Sequence, residues 1–222
     1  MGSVTVGIDV GQKHDPTAIA VVEGEARARE GRAEVYHVVR HLERLPLGTP
    51  YPGVATRLGA LATGLRDRGT PAGEIYVDAT GVGLPVVDTI KAAGVRCVPV
   101  YFTYGDRRVV QQDGTVSLGK AWLVSRLQVL LQTGLILLPK TAEAQALAKE
   151  LMDYEIRVDQ DANDKYGAFT VGSHDDLVTA LGLAVQGQTK TVPGWNAGMT
   201  TKTPQGRASH RSTQHARRYT TS

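Results

Sequence analysis

Val4, Val6, Ile8 and Val10 alternate with Thr5, Gly7 and Asp9 near the N-terminus, and this period of two constrains the fold more than any other feature. It describes a half-buried strand with an aliphatic side and, on the other side, a carboxylate beside a glycine. The arrangement recurs. Ile75 and Val77 supply a buried side, Tyr76 and Asp78 the other, and a glycine-rich turn follows at once. Thr17 to Val22 and Glu34 to Arg40 read as further strands, and three strands joined by short turns point to antiparallel neighbours. Val54, Leu58, Leu61 and Leu65 then fall at helical spacing within residues 51–68. Glu74 to Asp78 is a strand, Leu84 to Ala93 a helix and Val95 to Tyr101 a strand. Strands alternating with helices need crossover connections. The expected class is therefore α/β, a mixed central sheet with helices on both faces.

The second half continues the pattern. Ala121 to Gln132 predicts a helix with Leu123, Leu127, Leu130 and Leu131 facing inward and a stop at Gly134. Leu135 to Leu138 is a short strand, and Thr141 opens a helix through Leu147 and Leu151. Tyr154 to Val158 and Ala168 to Val171 predict a hairpin across the polar DQDANDK stretch. The last helix, Asp175 to Gln186, has Leu177, Leu181, Ala184 and Val185 on one side. Beyond it the periodicity disappears, and no internal repeat is visible.

Of 222 residues, 41% are hydrophobic, enough for one compact domain with a core. A lone cysteine, Cys97, cannot form an intramolecular disulfide, and MGSVTVGIDVGQ lacks the pattern of a secretory signal, so a cytoplasmic protein is expected. The longest apolar runs, such as Leu135 to Leu138, fall far short of the roughly 20 residues needed to cross a bilayer. The formal charge of +3 averages two unlike parts, because residues 188–222 hold six Lys or Arg and no Asp or Glu. Before Gln188 stand 19 basic and 22 acidic residues, a net −3. Residues 1–187 thus read as a mildly acidic folded domain and 188–222 as a basic tail, with Pro193-Gly194 near the boundary. The tail suits a polyanion or an acidic protein, and equally a solvated C-terminus.

The chemistry-bearing residues are carboxylates at element ends: Asp9 and Asp15 in GIDVGQKHDPTA, Asp78 in YVDATGVG, and Asp175 and Asp176 in SHDDL. If the first and fourth strands are neighbours and the last helix starts beside them, Asp9, Asp78 and Asp176 converge. Three packed anions repel unless divalent cations sit between them. Mg²⁺ or Mn²⁺ fits, and a pair of such ions about 4 Å apart supports phosphodiester hydrolysis. Plainer readings stand beside this one. Asp176 follows Ser173 at the spacing of a helix cap, with Asp175 and Asp176 stabilised by the helix dipole. Asp15 precedes Pro16 as a turn residue does. His174 suits a helix start or a surface as well as a position that orients water or phosphate. Asp9 and Asp78 resist such readings, because a carboxylate flanked by aliphatics at the end of a central strand is costly to desolvate.

Two phosphate-binding signals fail on inspection. GTVSLGKA at residues 114–121 has the glycine and lysine spacing of a phosphate loop, but Ala121 replaces the required Ser or Thr and no clear strand precedes it. Lys120 reads better as a helix-start lysine able to touch a nucleic-acid backbone. VDATGVG lacks the full glycine spacing of a dinucleotide fingerprint. Arg107 and Arg108 would contact a phosphate backbone without reading bases, or would be solvated loop charges.

Together, GIDVGQKHDPTAIAVV, VDATGVGLPVVDTIK, GKAWLVSRLQVLLQTGLILLP, ALAKELMDYEIRV and HDDLVTALGLAV resemble, in order and spacing, the nuclease domain of the large terminase subunit of tailed bacteriophages, within the ribonuclease H-like superfamily. The resemblance implies a metal-binding catalytic triad of Asp9, Asp78 and Asp176, with Asp15, Asp175 and His174 as accessory residues. It also implies cleavage of concatemeric double-stranded viral DNA during packaging, in the cytoplasm of an infected host. The implied partners are a packaging ATPase, the portal and the small terminase subunit. No intact phosphate loop for the ATPase is present, so the chain is expected to be an excised or separately encoded nuclease.

Other readings share some of these residues. A Holliday-junction resolvase of the same superfamily would use similar carboxylates on branched DNA. A non-catalytic DNA or portal adaptor would keep the fold without binding metal. An actin-like kinase or ATPase shares the GIDVG hairpin, but its two lobes need a much longer chain.

Overall fold

The computed structural model describes residues 2–11, 15–70, 72–81, 83–158, 164–167 and 174–187, with backbone only for 155–158 and 164–167. The first three strands are β1 (Ser3–Asp9), β2 (Ala18–Arg29) and β3 (Arg32–Arg44), followed by helix α1 (Tyr51–Asp67), β4 (Ala72–Asp78) and α2 (Gly83–Ala92). Then come β5 (Val98–Thr103), β6 (Arg108–Val110), β7 (Val116–Gly119), α3 (Lys120–Gln132), β8 (Ile136–Leu137) and α4 (Ala142–Asp153). The hairpin β9 (Glu155–Val158) and β10 (Asp164–Gly167) precedes the final helix, α5 (Asp176–Gln186).

Eight strands form one sheet in the order β6-β7-β5-β4-β1-β2-β3-β8. β1, β2 and β3 pair antiparallel as a meander, while β4 lies parallel to β1 and β5 parallel to β4. The expected mixed α/β sheet with helices on both faces is what forms.

Alternation sorts the sheet into two cores. Val6, Ile8, Ile19, Val21 and Val77 pack with Val54 and Leu58 of α1 and Val86 and Ile90 of α2. Ala18, Ala20, Val22 and Tyr76 pack on the other face with Leu123 and Leu127 of α3, Leu147 of α4 and Leu177, Leu181 and Ala184 of α5. The side chains between the aliphatics of β1 and β4, Asp9 and Asp78 included, therefore belong to the face covered by α3, α4 and α5.

Helix α5 is buried along its whole length rather than on one side, as expected of a helix covered by the sheet beneath and by α3 and α4 around it. Two glycines permit this. A Cβ on Gly7 would lie 2.0 Å from the Ala180 carbonyl oxygen and 2.5 Å from the Ala184 nitrogen, so α5 sits directly on the β1 backbone. A Cβ on Gly182 would fall 2.5 Å from Leu123 Cγ, so α3 closes over the far side. The Thr5 hydroxyl donates to the Ala184 carbonyl at 2.7 Å, fixing the helix along the strand.

Several boundaries differ from the periodicity. β2 runs on past Val22 to Arg29 as a solvent-exposed ribbon with the start of β3, while β3 runs on past Arg40 to Arg44 because Leu42 packs in the core opposite Ala20. β6 and β7 have no counterpart in the sequence reading, and β7 runs into α3, so a short strand does precede Lys120. Gly114 to Gly119 is thus largely strand rather than a phosphate loop. Leu131 is 38% exposed and does not face inward. The second hairpin strand occupies Asp164–Gly167, inside the stretch read as a loop, and Ala168 to Val171 lies outside the described residues. Among the described residues no helix is long and apolar enough to cross a membrane.

Candidate functional site

Asp9 and Asp78 end adjacent parallel strands whose register pairs Ile8 with Val77, which brings the two carboxylates side by side on the α5 face. The Thr80 amide donates to Asp78 Oδ1 at 2.8 Å, an Asx turn that orients this side chain, and the Thr80 hydroxyl in turn accepts from the Phe102 amide at 2.8 Å. Because α5 rests on Gly7, its first turn arrives beside the end of β1. Asp175 is the N-cap residue of α5 and Asp176 its first residue, but the Asp175 side chain forms no capping hydrogen bond. The capping alternative paired Asp176 with Ser173, which lies outside the described residues.

The electrostatics follow from this crowding. Burial pushes the Asp9 carboxyl well above the usual carboxylate range, and Asp78, Asp175 and Asp176 push it further, opposed by the Lys120 ammonium. Burial also raises Asp78, with Asp175 adding to it, while the Thr80 hydrogen bonds and Lys120 pull the other way. Lys120, the first residue of α3, thus faces both strand-end aspartates, its ammonium 5.4 Å from the centre of the Phe102 ring.

Asp176 has a different environment from Asp175. It is only 3% exposed, and both its oxygens are taken by the Arg44 guanidinium: Nε donates to Oδ2 at 2.8 Å and Nη2 to Oδ1 at 2.7 Å. Arg44 also pairs with Glu150, whose Oε2 accepts from the Val178 amide at 3.1 Å. Neither Arg44 nor Glu150 features in the sequence reading. One signal was available for Glu150. It sits three residues after Leu147 and one before Leu151, on the apolar stripe of α4, where a charge needs a partner. Arg44 is one charge among several in the Arg40 to Arg44 segment and carries no such mark.

The remaining residues spread around this centre. His174 Nδ1 lies 3.6 Å from Asp15 Oδ1, so these two stand together, with Asp15 largely exposed. Arg107 is exposed, whereas Arg108 is partly buried and its Nε donates to Gln186 Oε1 at 3.1 Å.

The donor set fits a divalent cation in part. Anionic oxygens are concentrated around Asp9 against their own repulsion, which is the chemistry of a hard-cation site. Among the described residues no group of three or more His, Cys, Asp or Glu closes into a cage of its own.

Comparison with known proteins supports the same fold. The chain resembles the large terminase nuclease from thermophilic phage G20c, with 22% identity over 82% of this chain and 81% of that one and a TM-score of 0.60. A magnesium-bound structure of that nuclease gives 23% identity over 82% and 80% with a TM-score of 0.58. The nuclease domain of the Thermus phage P74-26 large terminase gives 20% identity over 82% and 78% with a TM-score of 0.55. No curated protein sequence matches. The family model for the terminase RNase H-like domain matches residues 6–187, nearly all of the described fold, and this chain belongs to that family.

Proposed function

We propose that residues 1–187 form a divalent-metal-dependent endonuclease that cuts concatemeric double-stranded viral DNA during genome packaging, and that residues 188–222 are its basic tail. One observation carries the reading: Asp9 is desolvated and repelled at once by Asp78, Asp175 and Asp176. A divalent cation on such a cluster would relieve the repulsion that a retained proton otherwise has to offset. The G20c nuclease, of the same fold, has been solved with magnesium and with cobalt, which supports a hard divalent ion here. Mg²⁺ or Mn²⁺ in a pair is the proposed cofactor.

Asp9, Asp78 and Asp176 would hold the ions, with Asp175 beside them. Bound ions would lower the pKa of water and neutralise charge at the scissile phosphate. The protein's own part is positional. Asp78 is oriented by the Thr80 amide, Asp176 by Arg44, and the first turn of α5 by its seat on Gly7. Lys120, facing both strand-end aspartates, is suited to pair with a backbone phosphate next to the cleavage point. His174 and Asp15 form an accessory pair able to orient water. Arg107 adds backbone affinity without base contacts, so sequence preference is slight. The packaging ATPase, the portal and the small terminase subunit are the proposed partners in the host cytoplasm.

Incubating supercoiled plasmid with the protein in Mg²⁺, Mn²⁺ or chelator tests the reading. Linear product or degradation that requires the metal is expected. Intact plasmid under all three conditions sinks it, and a strong preference for branched junctions over linear duplex would replace it with a resolvase.

A further inference from the structure

The register of the meander carries an arginine to the acidic site. Asp9 pairs with Ala18 across β1 and β2, and Ala18 pairs with Arg44 across β2 and β3. Directly paired residues share a face, so Asp9 and Arg44 stand on the α5 side of the sheet, two strand spacings or about 10 Å apart at the backbone. Between them lies only the small Ala18, fully buried. From this position the Arg44 fork closes on both oxygens of Asp176.

Glu150 completes the arrangement from α4. It is 5% exposed, and its carboxylate links the Val178 amide in the first turn of α5 to the Arg44 guanidinium. Setting a half-buried cation against two buried anions is poor value as a source of stability, since apolar residues of similar volume often serve as well. What the trio does supply is geometry. A bidentate fork sets both position and plane of a carboxylate, which a single-point ammonium does not. The fork uses one lone pair on each Asp176 oxygen and leaves others able to face a cation.

We infer that Arg44 and Glu150 are positioning residues that hold Asp176 and the first turn of α5 in metal-ready orientation, and that they stay engaged when metal binds. The inference rests on the metal reading of the acidic cluster. Outer partners of this kind set metal affinity by about 10–100-fold.

The test uses the full 222-residue chain and Mn²⁺ binding measured by calorimetry, beside the melting temperature. Arg44→Lys keeps the charge and loses the fork, so Mn²⁺ affinity is expected to fall about 10–100-fold with the fold retained by circular dichroism. Glu150→Gln leaves an acceptor for the Val178 amide but removes the charge that anchors Arg44, and should weaken Mn²⁺ binding in the same direction. Arg57→Lys, at the separate Arg57–Glu43 surface pair, should leave it unchanged. Wild-type affinity in both site variants with only a lower melting temperature would reduce the trio to a structural ion pair and overturn the inference. A wild-type chain that binds no Mn²⁺ removes the metal reading itself, and this inference with it. A measurement on the unmodified protein guards against variants that fail to fold. The Arg44 Nε proton, followed by side-chain NMR, should remain protected from exchange before and after Mg²⁺ is added. Protection lost on adding Mg²⁺ would mean that the fork opens and that Arg44 competes with the ion rather than positioning its ligand.

Discussion

Gly7 and Ala180 are in backbone contact across the β1–α5 interface: any Cβ at position 7 would lie 2.0 Å from the Ala180 carbonyl oxygen. A backbone oxygen in a packed helix cannot step aside, so the helix would have to lift. Because α5 starts with the two aspartates, its height over β1 also sets how near they come to Asp9.

Gly7→Ala is therefore expected to lower stability by about 1–3 kcal/mol, the usual cost of overpacking a core, and to weaken Mg²⁺-induced thermal stabilisation as well. Gly59→Ala in α1 has nothing within 4 Å of its new methyl and should instead stabilise by roughly 0.5–1 kcal/mol. Denaturant melts of the two variants give the comparison. Equal effects would mean that α5 does not rest on β1 as described.

The strand-end aspartates should make the metal-free protein sensitive to pH in an unusual direction. Burial and three neighbouring carboxylates raise Asp9 above its ordinary 3.8, so the folded state holds a proton that the unfolded chain has already lost. Between the ordinary value and the raised one, this group's contribution to stability falls as pH rises, and above the raised value the penalty is complete. Asp9→Asn should then melt higher than the wild type at neutral pH in chelator, with the gap narrowing toward about pH 4 as the wild-type carboxyls protonate. A variant no more stable than the wild type at neutral pH would mean that the crowding carries no cost.

Asp78→Asn keeps the shape and the oxygen that accepts from Thr80 but removes the charge. Plasmid cleavage in Mg²⁺ should drop to the level seen with chelator, while duplex affinity measured by anisotropy stays within a few-fold of wild type, because backbone binding is carried by cations elsewhere. Persistent metal-dependent cleavage by this variant would remove Asp78 from the site.

Arg107 and Arg108 are neighbours with different duties. Arg107 is exposed and free to reach a phosphate, so Arg107→Ala should reduce the slope of log affinity against log salt by about 0.9, one phosphate contact, with little effect on melting. Arg108 is partly buried against Gln186 at the end of α5, so Arg108→Ala should act first on stability, by roughly 1 kcal/mol for a lost hydrogen bond. Identical salt slopes for wild type and Arg107→Ala would take Arg107 out of the interface.

Periodicity alone determined the alternating strands, the helices between them, and hence the mixed α/β sheet with Asp9 and Asp78 on one face. It could do so because alternation and helical spacing are local properties of the chain. The triplet HDD was also visible as a polar start to an apolar helix. Tertiary structure decided what those side chains meet. Gly7 reads only as a glycine beside Asp9, yet the space over it is filled by the α5 backbone. Asp175 and Asp176 are adjacent in sequence and both raise Asp9, yet it is Asp176 that Arg44 grips and that is buried. That division depends on Ala18 bringing Arg44 into register with Asp9, and on Glu150 of α4, 26 residues before Asp176, arriving beside it. Strand register and helix docking are set by contacts between distant segments, and no window of sequence contains them.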